Sequence, residues 1–160
     1  MSVHAVQTVQ TQTADLPSEH RVAKILGVVR LFKGSAGSAV AVHEALHAGL
    51  PRRALFRAIP DGMPVLSLLP VFGISVRTFM RLKNEPDKLL DTEQSGRVWQ
   101  FAELFAKAED VLGSHQSAVD WMMAPAMALE NRRPIDLLTT PVGAQLVDDV
   151  IERMRYGVYQ

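Results

Sequence analysis

Apolar residues recur at steps of three and four along most of this sequence, and the longest regular pattern begins at Asp91 or Thr92 and ends at Gly113. The apolar positions that share one helical face in this stretch are Val98, Phe101, Phe105, Ala108 and Leu112. Aspartate commonly caps a helix N-terminus, and glycine commonly follows a helix C-terminus. A β-strand would instead alternate every second residue, so the pattern predicts a long amphipathic α-helix.

The same helical signals recur elsewhere, while runs of alternating β-branched residues are nearly absent. We therefore predict an all-α protein built as a helical bundle. Further helices are expected over residues 18–32, 38–49 and 51–59, with a turn over the Gly- and Ser-rich residues 34–38. Residues 1–17 are mostly polar, and we predict that they form a flexible arm.

The composition favours a cytoplasmic protein with a buried core. Of the 160 residues, 48% are hydrophobic, which is enough for one domain or for two small helical modules. The sequence contains no cysteine, so it can form neither a disulfide nor a thiolate metal site. The longest apolar run, residues 63–74, is too short to span a bilayer and is interrupted by prolines. We expect no membrane association and no secretory signal.

The formal charge is zero, but the charges are unevenly distributed. Residues 51–90 contain seven basic and three acidic side chains, whereas residues 91–160 contain six basic and eleven acidic ones. A positive middle segment is suited to a polyanion such as DNA, and an acidic end is suited to a basic protein surface.

Residues 66–83 have the pattern of a helix-turn-helix. Gly73 supplies the turn, and Ser75 can cap the second helix. In that helix Phe79 and Leu82 are expected to face inward, and the positions predicted to contact DNA are Ser75, Arg77, Thr78, Arg81 and Lys83. Pro70 removes a backbone hydrogen bond from the first helix and is expected to bend or end it. A helical hairpin that only packs against the core is the alternative.

The segment His43-Glu44-Ala45-Leu46-His47 matches the H-E-x-x-H motif, in which two histidines one turn apart bind zinc and the glutamate activates water. A zinc hydrolase also needs a third protein ligand and a cleft. No glutamate occurs between His47 and Glu85, and Gly49 and Pro51 end the helix just after the motif. We therefore interpret the match as coincidental and predict neither a metal nor another cofactor.

Residues 132–160 combine two proline-started helices with a Tyr-Gly-Val-Tyr segment. Pro134 and Pro141 fit the first position of a helix, and Thr140 is placed to cap the second one. Four apolar residues at steps of three and four predict a buried face on that second helix: Val147, Val150, Ile151 and Met154. Two tyrosines around a glycine are typical of a contact surface, because such rings cover a large area at little entropic cost.

Residues 112–160 resemble the C-terminal toxin-binding module of Xre/MbcA/ParS antitoxins, in which an Arg-Pro-hydrophobic-Asp-Leu-Leu segment precedes a helix ending in Tyr-Gly-Val-Tyr. The positions that carry the resemblance are Trp121, Pro125, Ala128, Leu129, Arg133, Pro134, Asp136, Leu137, Leu138, Gly143, Ala144, Tyr156, Gly157 and Tyr159. Many relatives have a Pro-Asn pair where this chain has Ala-Pro-Ala at 124–126. The Gly-Ile-Ser-x-Arg-Thr segment from Gly73 resembles the helix-turn-helix of the same family.

This resemblance implies three parts: an N-terminal arm over 1–17, an Xre-like helix-turn-helix domain over 18–112 and a toxin-binding domain over 113–160. It implies an antitoxin that is not itself an enzyme and whose partner is a RES-domain toxin that degrades NAD. The residues expected at the toxin are Arg132, Arg133, Arg155, Tyr156, Gly157, Val158 and Tyr159. It also implies a homodimer, within a larger toxin–antitoxin complex, that binds operator DNA and represses its own operon.

Two alternatives remain open from the sequence. The first is a stand-alone helix-turn-helix regulator whose C-terminal module dimerises or senses something else. The second, from the enzyme class, is a small zinc hydrolase that uses His43, Glu44 and His47. A neighbouring reading frame for a RES-type protein would exclude the first alternative, and metal analysis of the purified protein would test the second.

Overall fold

The computed structural model describes residues 18–32 and 38–157, and it confirms the all-α prediction. The α-helices in the described ranges are α1 (Ser18–Ile25), α2 (Ala39–Ala48), α3 (Arg53–Ala58), α4 (Val65–Phe72), α5 (Val76–Lys83), α6 (Thr92–Leu112), α7 (His115–Met123), α8 (Pro134–Leu137) and α9 (Pro141–Arg155). Short 3₁₀ helices span Val29–Phe32 and Met127–Leu129. The described residues contain no β-strand, only two isolated bridges. The predicted arm and most of the predicted 34–38 turn lie outside these residues.

The long helix α6 occupies the centre of the fold. It begins with a capping box, in which the Asp91 carboxylate accepts from the Gln94 backbone N–H at 2.7 Å and the Gln94 side chain accepts from the Asp91 N–H at 3.4 Å. It ends where Gly113 adopts a positive φ of 83°. Six helices pack around it: α1, α2, α3, α4, α7 and α9. The long helix predicted from the sequence is therefore confirmed.

The helix predicted over 18–32 is wrong in length, because α1 ends at Ile25. Gly27 adopts a φ of +68°, a conformation that ends helices, and the Val28 N–H donates to the Ala23 carbonyl at 2.8 Å. Val28 is buried by this reversal, and the chain then continues as a 3₁₀ helix. The apolar periodicity continues through the break, which is why the sequence pattern alone predicts a single helix.

One cluster of buried side chains runs through most of the described helices, from Val22 in α1 to Ile151 in α9. Helix α4 packs on α8, so residues on both sides of the proposed boundary at residue 112 share this core. The division into two domains at that residue stays a prediction. Among the described residues, no single helix is long and apolar enough to cross a membrane. Helices α4 and α5 reach that length and apolar character only when taken together, and they are bent by 95° relative to each other.

Candidate functional site

Helices α4 and α5 form the helical pair predicted over residues 66–83. Gly73 lies between them with a φ of +67°, and the axes of the two helices differ by 95°. Ser75 caps α5 as expected, because its hydroxyl oxygen accepts from the Thr78 N–H at 3.1 Å. The tight turn and the large angle between the helices are those of a helix-turn-helix.

The α5 residues divide between two faces much as predicted. Phe79 and Leu82 are buried in the core, and the exposed side includes Ser75, Arg77, Arg81 and Lys83. Thr78 is only half-exposed, because it lies beside the cap and its hydroxyl accepts from that of Ser75 at 3.1 Å. The Lys83 ammonium lies 5.7 Å from the centroid of the Phe79 ring, which holds this side chain along the protein surface.

Pro70 does not end the first helix of the pair. Helix α4 continues through Pro70 to Phe72, and Pro70 lies exposed in the last turn. Gly73 is the residue that ends the helix, and the Ile74 N–H then donates to the Leu69 carbonyl at 3.0 Å. The proline therefore leaves the helical pair intact.

His43 and His47 lie on α2 as the H-E-x-x-H spacing requires, with stacked rings whose centroids are 6.2 Å apart. Both rings and Glu44 are exposed. Within residues 18–32 and 38–157, no group of three or more His, Asp or Glu side chains is arranged to hold a metal ion. The pair therefore has no third ligand in the part of the chain that is described.

The loop between α7 and α8 closes on itself. The Ala126 N–H donates to the Arg132 carbonyl at 3.0 Å, forming an antiparallel bridge. The turn inside this bridge places Glu130 and Asn131 in the left-handed region, with φ of 56° and 61°. Ala-Pro-Ala at 124–126, the departure from the family pattern, is thus accommodated in an ordered loop.

The junction between α8 and α9 is unusually close. Pro134 and Pro141 occupy the first positions of the two helices, and the Thr140 hydroxyl accepts from the Gly143 N–H at 3.0 Å, as predicted. A Cβ atom at Gly143 would lie 1.8 Å from the Leu137 carbonyl oxygen. Only a residue without a side chain fits here, which gives Gly143 a structural role.

The three arginines expected at the toxin have different surroundings. Arg133 forms a two-pronged ion pair with Asp136, at 2.8 and 2.7 Å, and the hydrogen bond to this carboxylate raises the Arg133 pKa further above its usual value. Arg155 lies 3.8 Å from a Glu152 oxygen. Arg132 is exposed and makes no side-chain ion pair with a described residue. No polar contact in the described residues joins Arg132 or Arg133 to Arg155.

Tyr156 directly follows α9 and is 75% exposed. The helix closes by hydrogen bonds, with the Tyr156 N–H donating to the Glu152 carbonyl and the Gly157 N–H donating to the Met154 carbonyl, both at 3.2 Å. Gly157 then adopts a φ of +67°. The tyrosine ring is thus presented to solvent at the end of a firmly anchored helix. Val158 and Tyr159, also predicted at the toxin, lie outside the described residues.

Two exposed apolar residues on α9 were not predicted from the sequence. Val147, Val150 and Ile151 form the predicted buried face and Met154 is partly buried, but Val142 and Leu146 remain 72% and 47% exposed. Their spacing of four residues, away from the buried stripe, was a signal that could have identified them. They leave an apolar strip on α9 that is partly open to solvent.

Two long-range contacts that tie the C-terminal helices to α6 were also missed. The Lys107 ammonium lies 2.8 Å from Asp148 on α9. Burial, the largest single influence, lowers the pKa of Lys107, but the hydrogen bond to Asp148 and the negative charges of Asp148, Glu103 and Glu152 together outweigh it, so the pKa is raised. Arg97 donates to the Val71 carbonyl at the end of α4 and to the Thr139 carbonyl before α9, both at 3.4 Å. Arg97 thus connects the helix-turn-helix to the junction between α8 and α9.

Residues 107–157, from the second half of α6 to the exposed ring of Tyr156, match the family model of the antitoxin Xre/MbcA/ParS C-terminal toxin-binding domain. The chain is 29% identical over 153 residues to a protein named antitoxin Xre from Yersinia enterocolitica. This alignment covers 95% of both chains. A second antitoxin Xre, from Pseudomonas putida, is 29% identical over 84 residues, or 52% of each chain. These matches support the identification of an Xre-type antitoxin.

The resemblance identified from residues 112–160 is therefore confirmed, and an antitoxin function is supported. The matched range begins inside α6, so it includes the last turns of that helix, from Lys107 to Leu112. The similarity to the Yersinia relative extends over nearly the whole chain and thus includes α4 and α5. The exposed ring of Tyr156 and the close packing at Gly143 both lie in the matched domain.

Proposed function

We propose that this antitoxin neutralises a RES-domain toxin that degrades NAD, by docking its C-terminal module on the toxin and placing residues 156–159 over the active-site entrance. The toxin, and not this chain, is then the enzyme. The observation that carries the proposal is the match of residues 107–157 to a toxin-binding domain whose last helix ends beside an exposed tyrosine. Such a ring provides both apolar area and a polar tip at an interface.

The polar contacts proposed for the toxin come from the arginines of the same module. Arg132 is exposed and available to a partner carboxylate. Arg133 and Arg155 are held by Asp136 and Glu152 on the surface, where such pairs exchange readily because solvent screens them. An acidic rim on the toxin would complement these cations and speed the encounter.

The proposal is tested by expressing the chain together with the product of the adjacent gene. We expect a RES-domain protein to co-purify with it, and we expect cellular NAD to fall when that protein is expressed alone and to recover when this chain is added. A neighbouring toxin that is neither bound nor inhibited would contradict the proposed function. It would favour the alternative of a stand-alone regulator.

We further propose that the antitoxin represses its own operon through α5, as a homodimer that contacts two half-sites. Two features support DNA binding. The first is the net positive charge of residues 51–90. The second is the exposure of Arg77 and Arg81 on a capped helix that follows a tight turn. Ser75 and Lys83 would contact phosphates at the ends of this helix, and Thr78 would support the cap.

Replacing both Arg77 and Arg81 with alanine is expected to weaken binding to the promoter fragment at least about 30-fold, because each arginine that pairs with a guanine contributes about 1–3 kcal/mol. Electrophoretic mobility shifts at matched salt measure the loss. Toxin neutralisation should be unchanged, since α5 lies outside the matched toxin-binding domain. Unchanged DNA affinity would show that α5 is not the recognition helix.

A further inference from the structure

Helix α5 carries a row of exposed apolar residues beside its row of arginines. Val76 and Met80 are 53% and 57% exposed although they lie on the same short helix as the buried Phe79. They are four residues apart, so both lie on one line along the helix, and Arg77 and Arg81 form the neighbouring line. The exposed face is therefore half apolar and half cationic.

The arginine row is free to bind an external anion. The nearby cations Arg52 and Arg53 are held by carboxylates, at Glu85 and Asp87 respectively. Arg77 and Arg81, in contrast, form no ion pair or side-chain hydrogen bond with any residue of 18–32 or 38–157. A partner that covers this face must therefore supply negative charge on one side and apolar groups on the other.

Double-stranded DNA offers this combination in its major groove. Guanine presents two acceptors that match an arginine, the backbone supplies negative charge, and thymine presents a C5-methyl group that is the main apolar feature of the groove. Leaving Val76 and Met80 in water has no benefit for the isolated chain, because each would be better buried. Contact with thymine methyl groups would bury them on binding.

We propose that Val76 and Met80 contact thymine methyl groups next to the bases contacted by Arg77 and Arg81, so that the apolar row contributes to sequence specificity. This inference rests on the proposed DNA binding and extends it, because it names the base feature recognised. The recognised half-site then contains thymine adjacent to guanine.

The experiment uses the full chain and DNA duplexes from the region upstream of the gene. Footprinting first locates the protected half-site, and each thymine within it is then replaced by deoxyuridine, which lacks only the methyl group. Fluorescence anisotropy at fixed salt measures the affinity. We expect about a fourfold loss for each contacted methyl group, the effect of exposing one buried methyl. Deoxyuridine outside the half-site should have no effect.

A double variant, Val76→Ser with Met80→Ser, should bind thymine and deoxyuridine duplexes equally. Val142→Ser is the matched control, because Val142 is also an exposed valine in a first helical turn but lies on α9. It should keep the full sensitivity to deoxyuridine. If the unmodified protein bound thymine and deoxyuridine duplexes equally well, the inference about thymine methyl groups would be wrong, but the proposed DNA binding would stand. No binding to any upstream duplex would refute the proposed DNA binding, and this inference with it.

Discussion

Deleting residues 156–160 is expected to abolish protection against the toxin while leaving the helical fold unchanged. Helix α9 ends at Arg155, and Tyr156 is largely exposed, so the core does not depend on its ring. Central aromatic residues of an interface typically contribute 2 kcal/mol or more each. Loss of two tyrosines should therefore weaken the complex about 1,000-fold. The measurements are toxin-dependent NAD loss, the affinity of the complex, and circular dichroism of the truncated chain.

Two milder variants and the binding of the truncated chain distinguish two roles of residues 156–160: binding the toxin and blocking its active-site entrance. Tyr156→Phe keeps the ring and removes only the hydroxyl, so it should protect nearly as well as the unmodified chain, whereas Tyr156→Ala should not. If the truncated chain still binds the toxin through its module but no longer inhibits it, residues 156–160 act by blocking the entrance. Full protection by the truncated chain would exclude the proposed mechanism.

Gly143→Ala is expected to lower the stability of the antitoxin by about 3 kcal/mol, at the upper end of the range for overpacked sites. The new Cβ would lie 1.8 Å from the Leu137 carbonyl oxygen and 2.7 Å from its carbon. These are backbone atoms, so α8 and α9 must move apart to relieve the overlap. For a chain of this size, the melting temperature should fall by roughly 6–12 °C.

Gly96→Ala is the control for that substitution. Gly96 also lies within a helix, but no heavy atom of a neighbouring group lies within 4 Å of the position its Cβ would occupy. Alanine is the better helix former by about 1 kcal/mol, so this variant should be slightly more stable than the unmodified chain. Thermal denaturation followed by circular dichroism compares the two. Equal melting temperatures for both variants would show that the junction between α8 and α9 is not rigid.

Local signals in the sequence were sufficient for most helix boundaries. Ser75, Asp91 and Thr140 cap the helices at which their side chains and spacing placed them, and Pro134 and Pro141 begin theirs. These are interactions within one turn of helix, so neighbouring residues decide them. Gly27 is an exception: it ends α1, but the apolar spacing continues on both sides of it, so the sequence pattern predicted one longer helix.

The toxin-binding module was identifiable from sequence because its signature residues are close together in the chain. Tyr156 and Gly157 follow α9 directly, and the exposure of Tyr156 agrees with a role at an interface. The pairing of Arg133 with Asp136 could also have been predicted, because residues three apart on a helix are neighbours. Capping and spacing within a helix do not specify which group of a partner each residue binds.

The helical class of this protein, its capped and proline-started helices, and the resemblance of its C-terminal module to a known family all follow from local patterns in the sequence. Three features depend on the folded arrangement: Gly143 must lack a side chain, Arg97 connects α4 to the junction between α8 and α9, and Val76 and Met80 stay exposed. The difference comes from distance along the chain. Caps and periodicity act between neighbours, whereas burial and close packing depend on which remote helix lies opposite, and no local pattern specifies that.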